Sequence, residues 1–390
     1  FYSPHPLLRK RETETATVSY SELLFDLIYV FSVTQLSHYL LHNLTWEGLL
    51  KETILWFAVW MLWQHTIWVT NWFNPDTRPI RILLFISMLV GLVMAAAIPY
   101  AFTYRGLIFA VCYVLIQAGR TLYIIGVLGD HHLAANFKRI MGWFCISAVF
   151  WITGAILQGE WQILLWIIAA ICDYTAPMHG FALPRLGRSD SSKEWTIEGH
   201  HLVERCQLFV IIAFGETLLM TGASLSEVEE WTPLVIISAV ISFIGSLVYF
   251  DVSSEAGSRK IQEVKDPGKL GLIYNAIHIV LVGALIICAV GDELIVAHPE
   301  QEMRAEVVFV LIIGPIVYIL ANSIYKYVTC RMLPLSHIIA VIALALLLPW
   351  PYHISLLTMN ILVTSVFIFV IVFDMLFPNK GFKIKWEPKI

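Results

Sequence analysis

Long apolar stretches separated by short polar segments make up most of this chain. Each stretch is near the ~20 residues that an α-helix needs to cross the hydrocarbon core of a bilayer. Glycine or proline interrupts several stretches, which packed membrane helices tolerate. The pattern predicts an all-α fold, a polytopic transmembrane helical bundle of about 12 helices, at residues 21–43, 52–73, 80–103, 106–128, 139–158, 161–178, 201–222, 231–252, 270–291, 304–326, 333–351 and 354–377.

The composition agrees with a membrane protein. Hydrophobic residues make up 58% of the 390 residues, charged residues only 14%, and the mean hydropathy is +0.74. An average soluble domain is about 25% charged, so this composition excludes an ordinary soluble domain. We therefore expect the lipid bilayer as a partner. Because the net charge is −4, we expect no nucleic-acid partner.

The distribution of positive charge predicts an orientation. Cytoplasmic loops of membrane proteins collect Lys and Arg. With the N-terminus inside, twenty of the 25 Lys and Arg residues fall in cytoplasmic segments. The outside loops contain Lys51, Arg105 and Arg304, and two arginines, Arg120 and Arg205, lie within spans. We therefore expect both termini in the cytoplasm.

The membrane that holds the chain is less constrained. Polar residues follow Arg9, Lys10 and Arg11 before the first apolar run, so we predict no cleavable signal peptide. The plasma membrane is the default expectation, and an organelle membrane stays open if the source is eukaryotic. A homodimer also stays open.

A polar loop near residues 179–200 divides the predicted helices into six plus six. We predict two transmembrane halves, residues 1–182 and 183–390. An even number of helices gives both halves the same orientation, so a repeat would be parallel, with its axis along the membrane normal. Chance similarity among apolar helices is the alternative. The matching segments begin at Glu22 and Glu204, at Leu89 and Leu281, and at Tyr113 and Tyr318.

Several motifs together resemble the low temperature requirement protein A family. The first lies at the opening helix, from Ser21 through Glu22-Leu-Leu-Phe-Asp26 to His38, and the most characteristic one runs from His201 through Glu204-Arg205 to Glu216. The resemblance implies a polytopic membrane protein linked by name to growth in the cold, without a settled biochemical activity. Further matching segments are Thr70–Arg81, Tyr249–Asp251 and Gly291–Pro299.

Ionisable residues at membrane depth are costly and are therefore functional candidates. The first helix contains Glu22 and Asp26 on one face, and Gln35, His38 and His42 are predicted to continue a polar stripe at helical spacing. The alternative is that Glu22 and Asp26 cap and anchor the helix end, where acidic residues are favourable.

Glu216 and Arg120 are the other charged candidates. Glu216 lies well inside its predicted helix, where a carboxyl could carry a proton or coordinate a cation. Arg120 lies in the middle of the fourth helix and needs a partner, for which Glu216 and Asp26 are the candidates. A Glu216–Arg120 pair would instead make a structural bridge between the halves.

Other polar residues fit less specific roles. We expect interfacial solvation for the aspartates near helix ends and for the Glu204–Arg205 pair. Single histidines such as His278 fit hydrogen-bonded packing or ligand binding. No strong metal-binding or nucleotide-binding spacing is present. The residues concerned are Asp173, Asp251, Asp374, His65, Asn71, Asn275, His278 and Asn322.

The leading functional hypothesis is a proton or small-cation transporter or channel. Glu216 would bind the ion, Asp26 would guard the cytoplasmic mouth, and Arg120 would tune both. The alternatives are a membrane-embedded enzyme acting on a lipid or isoprenoid, for example a cyclase, and a sensor without turnover. The expected ligand is a small ion or a lipid-soluble molecule, and no motif in the sequence indicates which cofactor, if any, is bound. The tryptophans of the second helix fit a packing belt or a cavity wall.

Overall fold

The computed structural model describes residues 5–9, 18–190, 194, 197–252, 267–349, 353–377 and 380–383. These residues form twelve α-helices and one two-stranded antiparallel sheet. The helices are α1 (Tyr20–His42), α2 (Trp46–Trp72), α3 (Arg78–Ala97), α4 (Gly106–Leu128), α5 (Leu133–Leu157), α6 (Gly159–Met178), α7 (Gly199–Glu227), α8 (Pro233–Val252), α9 (Pro267–Ala297), α10 (Gly314–Cys330), α11 (Leu335–Ala345) and α12 (Leu356–Leu376). The strands are β1 (Met332–Pro334) and β2 (Gly381–Lys383).

The prediction of a polytopic helical bundle is confirmed. Within the described residues, nine helices are long and apolar enough to cross a membrane. Helices α8 and α11 contain shorter apolar segments, Pro233–Gly245 and Leu335–Ala345. Helix α2 has 27 residues with many tryptophans and the polar Gln64, His65 and Asn71, and it is not among these nine helices.

Helix α2 forms the centre of the first half, because nineteen of its 27 residues are buried. The ring of Phe209, on α7, lies 5.4 Å from that of Trp60 and 4.6 Å from that of Trp63. Trp56 also packs on Trp60, at a centroid distance of 5.4 Å. Trp56, Trp60 and Trp63 therefore pack in the protein core and not against lipid.

Helix boundaries follow local sequence signals. Ser19 and Glu22 form a capping box at the start of α1. Thr45 accepts a hydrogen bond from the backbone of Gly48 at the start of α2. Gln158 and Gly159 separate α5 from α6 and both have positive φ, a conformation that glycine adopts readily.

Several boundaries differ from the predicted ones, and the largest difference is at α10, which begins at Gly314 and not at residue 304. Helix α5 begins at Leu133 and α9 continues to Ala297, beyond the apolar stretches, since a helix can extend past the membrane core. Helix α11 ends at Ala345, several residues early. Pro349 follows shortly after this end, and the residue before a proline disfavours the helical conformation.

Most helix contacts of the first half have a counterpart in the second, but the contact of α2 with α4 and the contacts of α9 with α8 and α12 have none of comparable extent. In the first half, α1 packs on α2 and α3, α2 on α6, α3 on α4, α4 on α5, and α5 on α6. In the second half, α7 packs on α8 and α9, α8 on α12, α9 on α10, α10 on α11, and α11 on α12. Helices α1 and α2 both contact α7 and α9, so these four helices form the interface between the halves.

Short extended segments hold the chain ends against the bundle. Strands β1 and β2 pair with Leu333 opposite Phe382. Leu8 makes a β-bridge with Phe73, just after α2, and the His5 imidazole bonds the carbonyl of Val127 at 3.1 Å. The segment at residues 5–9 is thereby fixed beside the end of α2.

Close packing of α9 on α2 makes a testable prediction. A Cβ added at Gly283 would lie 2.8 Å from Nε1 of Trp56, which already donates to the carbonyl of Ile279. Overpacking costs about 1–3 kcal/mol, so we expect Gly283→Ala to lower the melting temperature of the purified protein. The matched control is Gly119→Ala, where a Cβ meets no atom within 4 Å. Equal melting temperatures for the two variants would contradict this packing.

Candidate functional site

Helix α1 places two carboxylates on the face that meets α7. Glu22 and Asp26 are one turn apart, and both are completely buried. Arg205 on α7 lies between them. Its Nη2 is 2.6 Å from Oδ1 of Asp26, and its Nη1 is 3.1 Å from Oε1 of Glu22. A buried arginine thus joins two buried acids across the interface between the halves.

Glu22 has further partners from three other parts of the chain. His201, one turn before Arg205 on α7, contacts Oε1 of Glu22 through Nε2 at 2.9 Å. Arg9 donates to Oε2 of Glu22 at 2.9 Å, and it is held in place by a 2.7 Å bond to the carbonyl of Thr70. The backbone of Ser19 donates to the same Oε2. The acid is therefore satisfied on both oxygens.

Helix α2 supports this network with neutral groups. The indole of Trp63 donates to Oδ1 of Asp26 at 2.8 Å. Asn71 donates to the carbonyl of Glu198 and accepts from its backbone N–H, both at 2.8 Å. The amide of Asn71 is also 3.2 Å from Nδ1 of His201. These bonds fix the start of α7 against the end of α2.

We call Glu22, Asp26, Arg205, Arg9 and His201 the charge network. It contains two acids and two arginines, so its formal charge balances with a neutral histidine. Burying any one of these charges alone would be very unfavourable. The balance therefore requires α1, α2, α7 and the segment at residues 5–9 to assemble together.

The structure corrects the expectations for this region. Arg205 is completely buried and paired with Glu22 and Asp26, so the expected interfacial solvation is wrong for it. Glu22 does cap α1, but it is also an ion-pair partner. The roles of His201 and Arg9 were missed in the sequence. A usable signal was the four-residue spacing from His201 to Arg205, which matches the spacing from Glu22 to Asp26.

Glu216 lies nearer the other end of α7. Its side chain is only 3% exposed and interacts with Thr34 on α1. Its Oε1 has no hydrogen-bond partner among the described residues. The predicted pair with Arg120 does not form, and no ion pair of Glu216 occurs in the described part of the chain. Glu216 is thus a buried carboxyl without a cationic partner there.

Further acids surround this end of the bundle. Glu293 on α9 interacts electrostatically with Glu216, with Glu227 at the end of α7 and with His42 at the end of α1. We call the end where α1 and α7 finish the acidic end, and the end where they begin the basic end. Two further buried acids, Glu52 on α2 and Asp292 on α9, also have a carboxyl oxygen without a hydrogen-bond partner among the described residues.

Arg120 has neutral partners. It donates from Nη1 to Oγ1 of Thr66 at 2.8 Å and to the carbonyl of Leu62 at 3.3 Å, and from Nη2 to Oε1 of Gln117. The prediction that Glu216 or Asp26 pairs with it is wrong. The physical reason is that α2 separates Arg120 from α7. The hydroxyl oxygen of Thr66 on α2 lies within hydrogen-bonding distance of Arg120 and accepts from it instead.

A hydrogen-bonded chain continues from Gln117 to a buried acid. Gln117 donates to the hydroxyl of Tyr113 at 3.4 Å, and that hydroxyl donates to Oδ2 of Asp173 at 2.6 Å. Asp173 also accepts from the indole of Trp151. Asp173 is 2% exposed, so the expected interfacial solvation is wrong for it. Asp374 is partly exposed and pairs with Lys326, and the side chain of Asp251 lies outside the described residues.

The predicted polar stripe on α1 is wrong. Gln35 is half-buried and His38 is exposed. Nine residues separate Asp26 from Gln35, which places them on opposite faces at about 100° per residue. His278 on α9 is buried, bonds the carbonyl of Tyr274 and stacks on the Tyr274 ring at 4.2 Å. Among the described residues, no hydrogen bond or ion pair joins Gln35, His38 or His278 to Glu216, and their binding role stays a prediction.

The site offers carboxyl groups, arginines and a histidine, which can exchange protons or bind ions. In the part of the chain that the structure describes, no group of three or more His, Cys, Asp or Glu side chains could hold a metal ion. The arrangement consists of a balanced charge network at one end of α1 and α7 and unpaired carboxyls nearer the other end. Such carboxyls can take up protons or weakly held monovalent cations.

These features define an integral, multi-pass helical membrane protein. The chain belongs to the bacterial low temperature requirement A protein (LtrA) family, whose pattern it matches over residues 17–372. It is also 36% identical to an uncharacterized protein of Rhizobium meliloti (strain 1021) over 341 residues, which cover 86% of this chain and 83% of the relative. No solved structure matches the chain.

The charge network predicts strong coupling between its members. Arg205→Met leaves two buried acids undercompensated, so we expect the free energy of unfolding to fall by about 3–5 kcal/mol. Asp26→Asn alone leaves excess positive charge and is also destabilising. The double variant restores the balance, and we expect its loss to be clearly smaller than the sum. Thermal unfolding in detergent measures all three.

The control for this cycle is Arg81→Met. Arg81 pairs with Asp76 at the surface, where an ion pair contributes about 0–1 kcal/mol. The free energy of unfolding of Arg81→Met should therefore stay close to that of the unmodified protein. Strictly additive losses for Arg205→Met and Asp26→Asn would contradict the coupling.

Proposed function

We propose that the protein transports protons or small monovalent cations along the interface of α1, α7 and α9. The observation that carries this proposal is Glu216, a carboxyl buried between α1 and α7 without a cationic partner among the described residues. Glu227 and Glu293 extend a row of acids from Glu216 to the acidic end. The row forms a path on which a positive ion meets successive carboxyls.

The energetics support this role for Glu216. An isolated carboxylate inside a membrane protein costs several kcal/mol, roughly 2.5–3.5 on the insertion scale. A bound proton or cation removes that cost, so binding of a positive ion to Glu216 is energetically favourable. The Thr34 hydroxyl beside Glu216 is a neutral group that can accept or donate as the carboxyl changes state.

The charge network acts as the closed end of this path. Arg205 lies eleven residues before Glu216 on α7, about 16 Å along the helix axis. Its positive charge opposes the passage of a cation, while Asp26 neutralises it at 2.6 Å. Passage toward the basic end then requires this pair to separate or a proton to be handed past it. Asp26 is in this way the gate residue of the proposal.

The finer architecture belongs to the same proposal. We propose that residues 1–182 and 183–390 are two parallel repeats, and the matching order of helix packing in the two halves supports this. We further propose that the basic end faces the cytoplasm with both termini, because the loops richest in Lys and Arg lie there. The plasma membrane is the proposed location.

Flux through purified protein in liposomes tests the proposal. We expect proton uptake under a pH gradient, or cation uptake under a K⁺ or Na⁺ gradient. Glu216→Gln keeps the shape of the side chain but removes its negative charge, so flux should fall to the level of empty liposomes. The matched control is Glu230→Gln, an exposed acid in the loop after α7, which should retain flux.

Two outcomes would contradict the proposal. One is an absence of flux in all three gradients from protein that is folded and inserted. The other is equal flux from the unmodified protein and Glu216→Gln, which would place any pathway away from α7.

A further inference from the structure

A cavity next to Arg120 lies apart from the proposed cation path. It is lined by α2, α4, α5, α6, the segment after α6 and Leu272 of α9, and about 30 Å³ of it is available to the centre of a water-sized molecule. Its polar wall is formed by Gln64, His65, Arg120, Thr121 and Asn136. Its apolar wall includes Trp68, Trp72, Phe137, Ile140 and Phe181.

The charge in this cavity wall is positive. Arg120 is 2% exposed and donates to Thr66, to the carbonyl of Leu62 and to Gln117, which accounts for three of its five N–H groups. No acid among the described residues forms an ion pair with it. The nearest acid connected by hydrogen bonds, Asp173, is two neutral side chains away. A buried guanidinium in this state attracts a negative ion.

Two other side chains add hydrogen-bond donors to the same cavity. Nε2 of His65 and Nε1 of Trp72 are buried and have no hydrogen-bond partner among the described residues. His65 interacts electrostatically with Arg120, so the two groups are close. An indole can only donate, and an imidazole with its proton on Nε2 donates from that atom. These donors are what an anion requires.

We propose that this cavity binds one small monovalent anion, of the size of chloride, between Arg120, His65 and Trp72. The available volume admits one or two water-sized species and excludes a large anion. The anion would replace the missing counter-charge of Arg120 inside the first half of the bundle. The site does not depend on the proposed cation path, because no acid of that path lines the cavity and the charge is opposite; Leu272 of α9 also lines it, 21 residues before Glu293.

The location of the cavity favours entry from the basic end. Trp72 is the last residue of α2, and Phe137 lies in the second turn of α5. Beside Phe137, Arg139 is held by Ser189, by Glu194 and by the carbonyl of Leu186. The first two turns of α3 and α5 and the loop after α6 contain further basic residues at this end, which raise the local concentration of anions. These are Arg78, Arg81, Lys138, Arg185 and Arg188.

Equilibrium binding of radioactive chloride to the purified full-length protein tests the site, with gluconate as the large competing anion. We expect saturable binding of one chloride per chain that gluconate does not displace. Trp72→Phe removes one donor and keeps the aromatic packing, so affinity should fall about tenfold, the value of one hydrogen bond to a charge. His65→Phe should do the same, and Arg120→Gln should abolish binding.

The readouts separate this site from the cation path. Glu216→Gln should bind chloride as the unmodified protein does, even if no cation flux is ever observed. If Arg120→Gln does not fold, Trp72→Phe and His65→Phe decide the question. Absence of saturable chloride binding, or unchanged affinity in both Trp72→Phe and His65→Phe, would overturn the proposal.

Discussion

Arg205, held between Glu22 and Asp26, is the interaction on which the rest of the structure depends. All three side chains are completely buried, and they come from helices in different halves of the chain. Water cannot compensate these charges inside a bilayer protein, so the helices that supply them must remain together. His201, Arg9 and the backbone of Ser19 contact Glu22, and Trp63 contacts Asp26, while Oδ2 of Asp26 and Nε of Arg205 have no hydrogen-bond partner among the described residues.

This network divides the interface of α1 and α7 into two electrically different parts. At the basic end every described acid of the network has a partner, and the charges balance. Toward the acidic end, Glu216, Glu52 and Asp292 form no ion pair among the described residues, whereas Asp26 is paired with Arg205 although its Oδ2 also lacks a hydrogen-bond partner there. A protein that only needed a stable bundle would gain by replacing these acids with apolar residues. Their presence is therefore an argument for ion handling.

The first half contains the opposite arrangement. Arg120 is buried beside a cavity, and its direct partners are neutral. The positive charge of Arg120 and the acid at Glu216 do not neutralise each other, because α2 lies between them. The two proposed ligands, a cation near Glu216 and an anion near Arg120, follow from the same rule about buried charge.

The fold was largely predictable from the sequence, because apolar length and the distribution of Lys and Arg report directly on membrane spans. The buried positions of Arg120 and Glu216 followed from their place within those spans, whereas for Glu22 and Asp26 a cap at the helix end was the alternative. Their partners were not predictable. Pairing depends on which faces of distant helices meet, and a single sequence does not specify that rotation.

Two errors illustrate this limit. Arg120 was expected to meet Glu216 or Asp26, yet it bonds groups of the adjacent α2 and its own helix. Arg205 was expected at the interface because it lies near a predicted helix end, but α7 begins at Gly199 and positions it inside the bundle. His201 gave only a weak signal, since one histidine near a helix start has many ordinary explanations.

The central claim is that Glu216 is an unpaired, protonatable carboxyl, in contrast to the paired acids of the charge network. A hydrophobic carbodiimide reacts with protonated carboxyls inside membrane proteins, and peptide mass spectrometry locates the modified residue. We predict modification at Glu216 and none at Glu22 or Asp26 in the folded protein. Modification of Glu22 and Asp26 with Glu216 left unreacted would contradict the account.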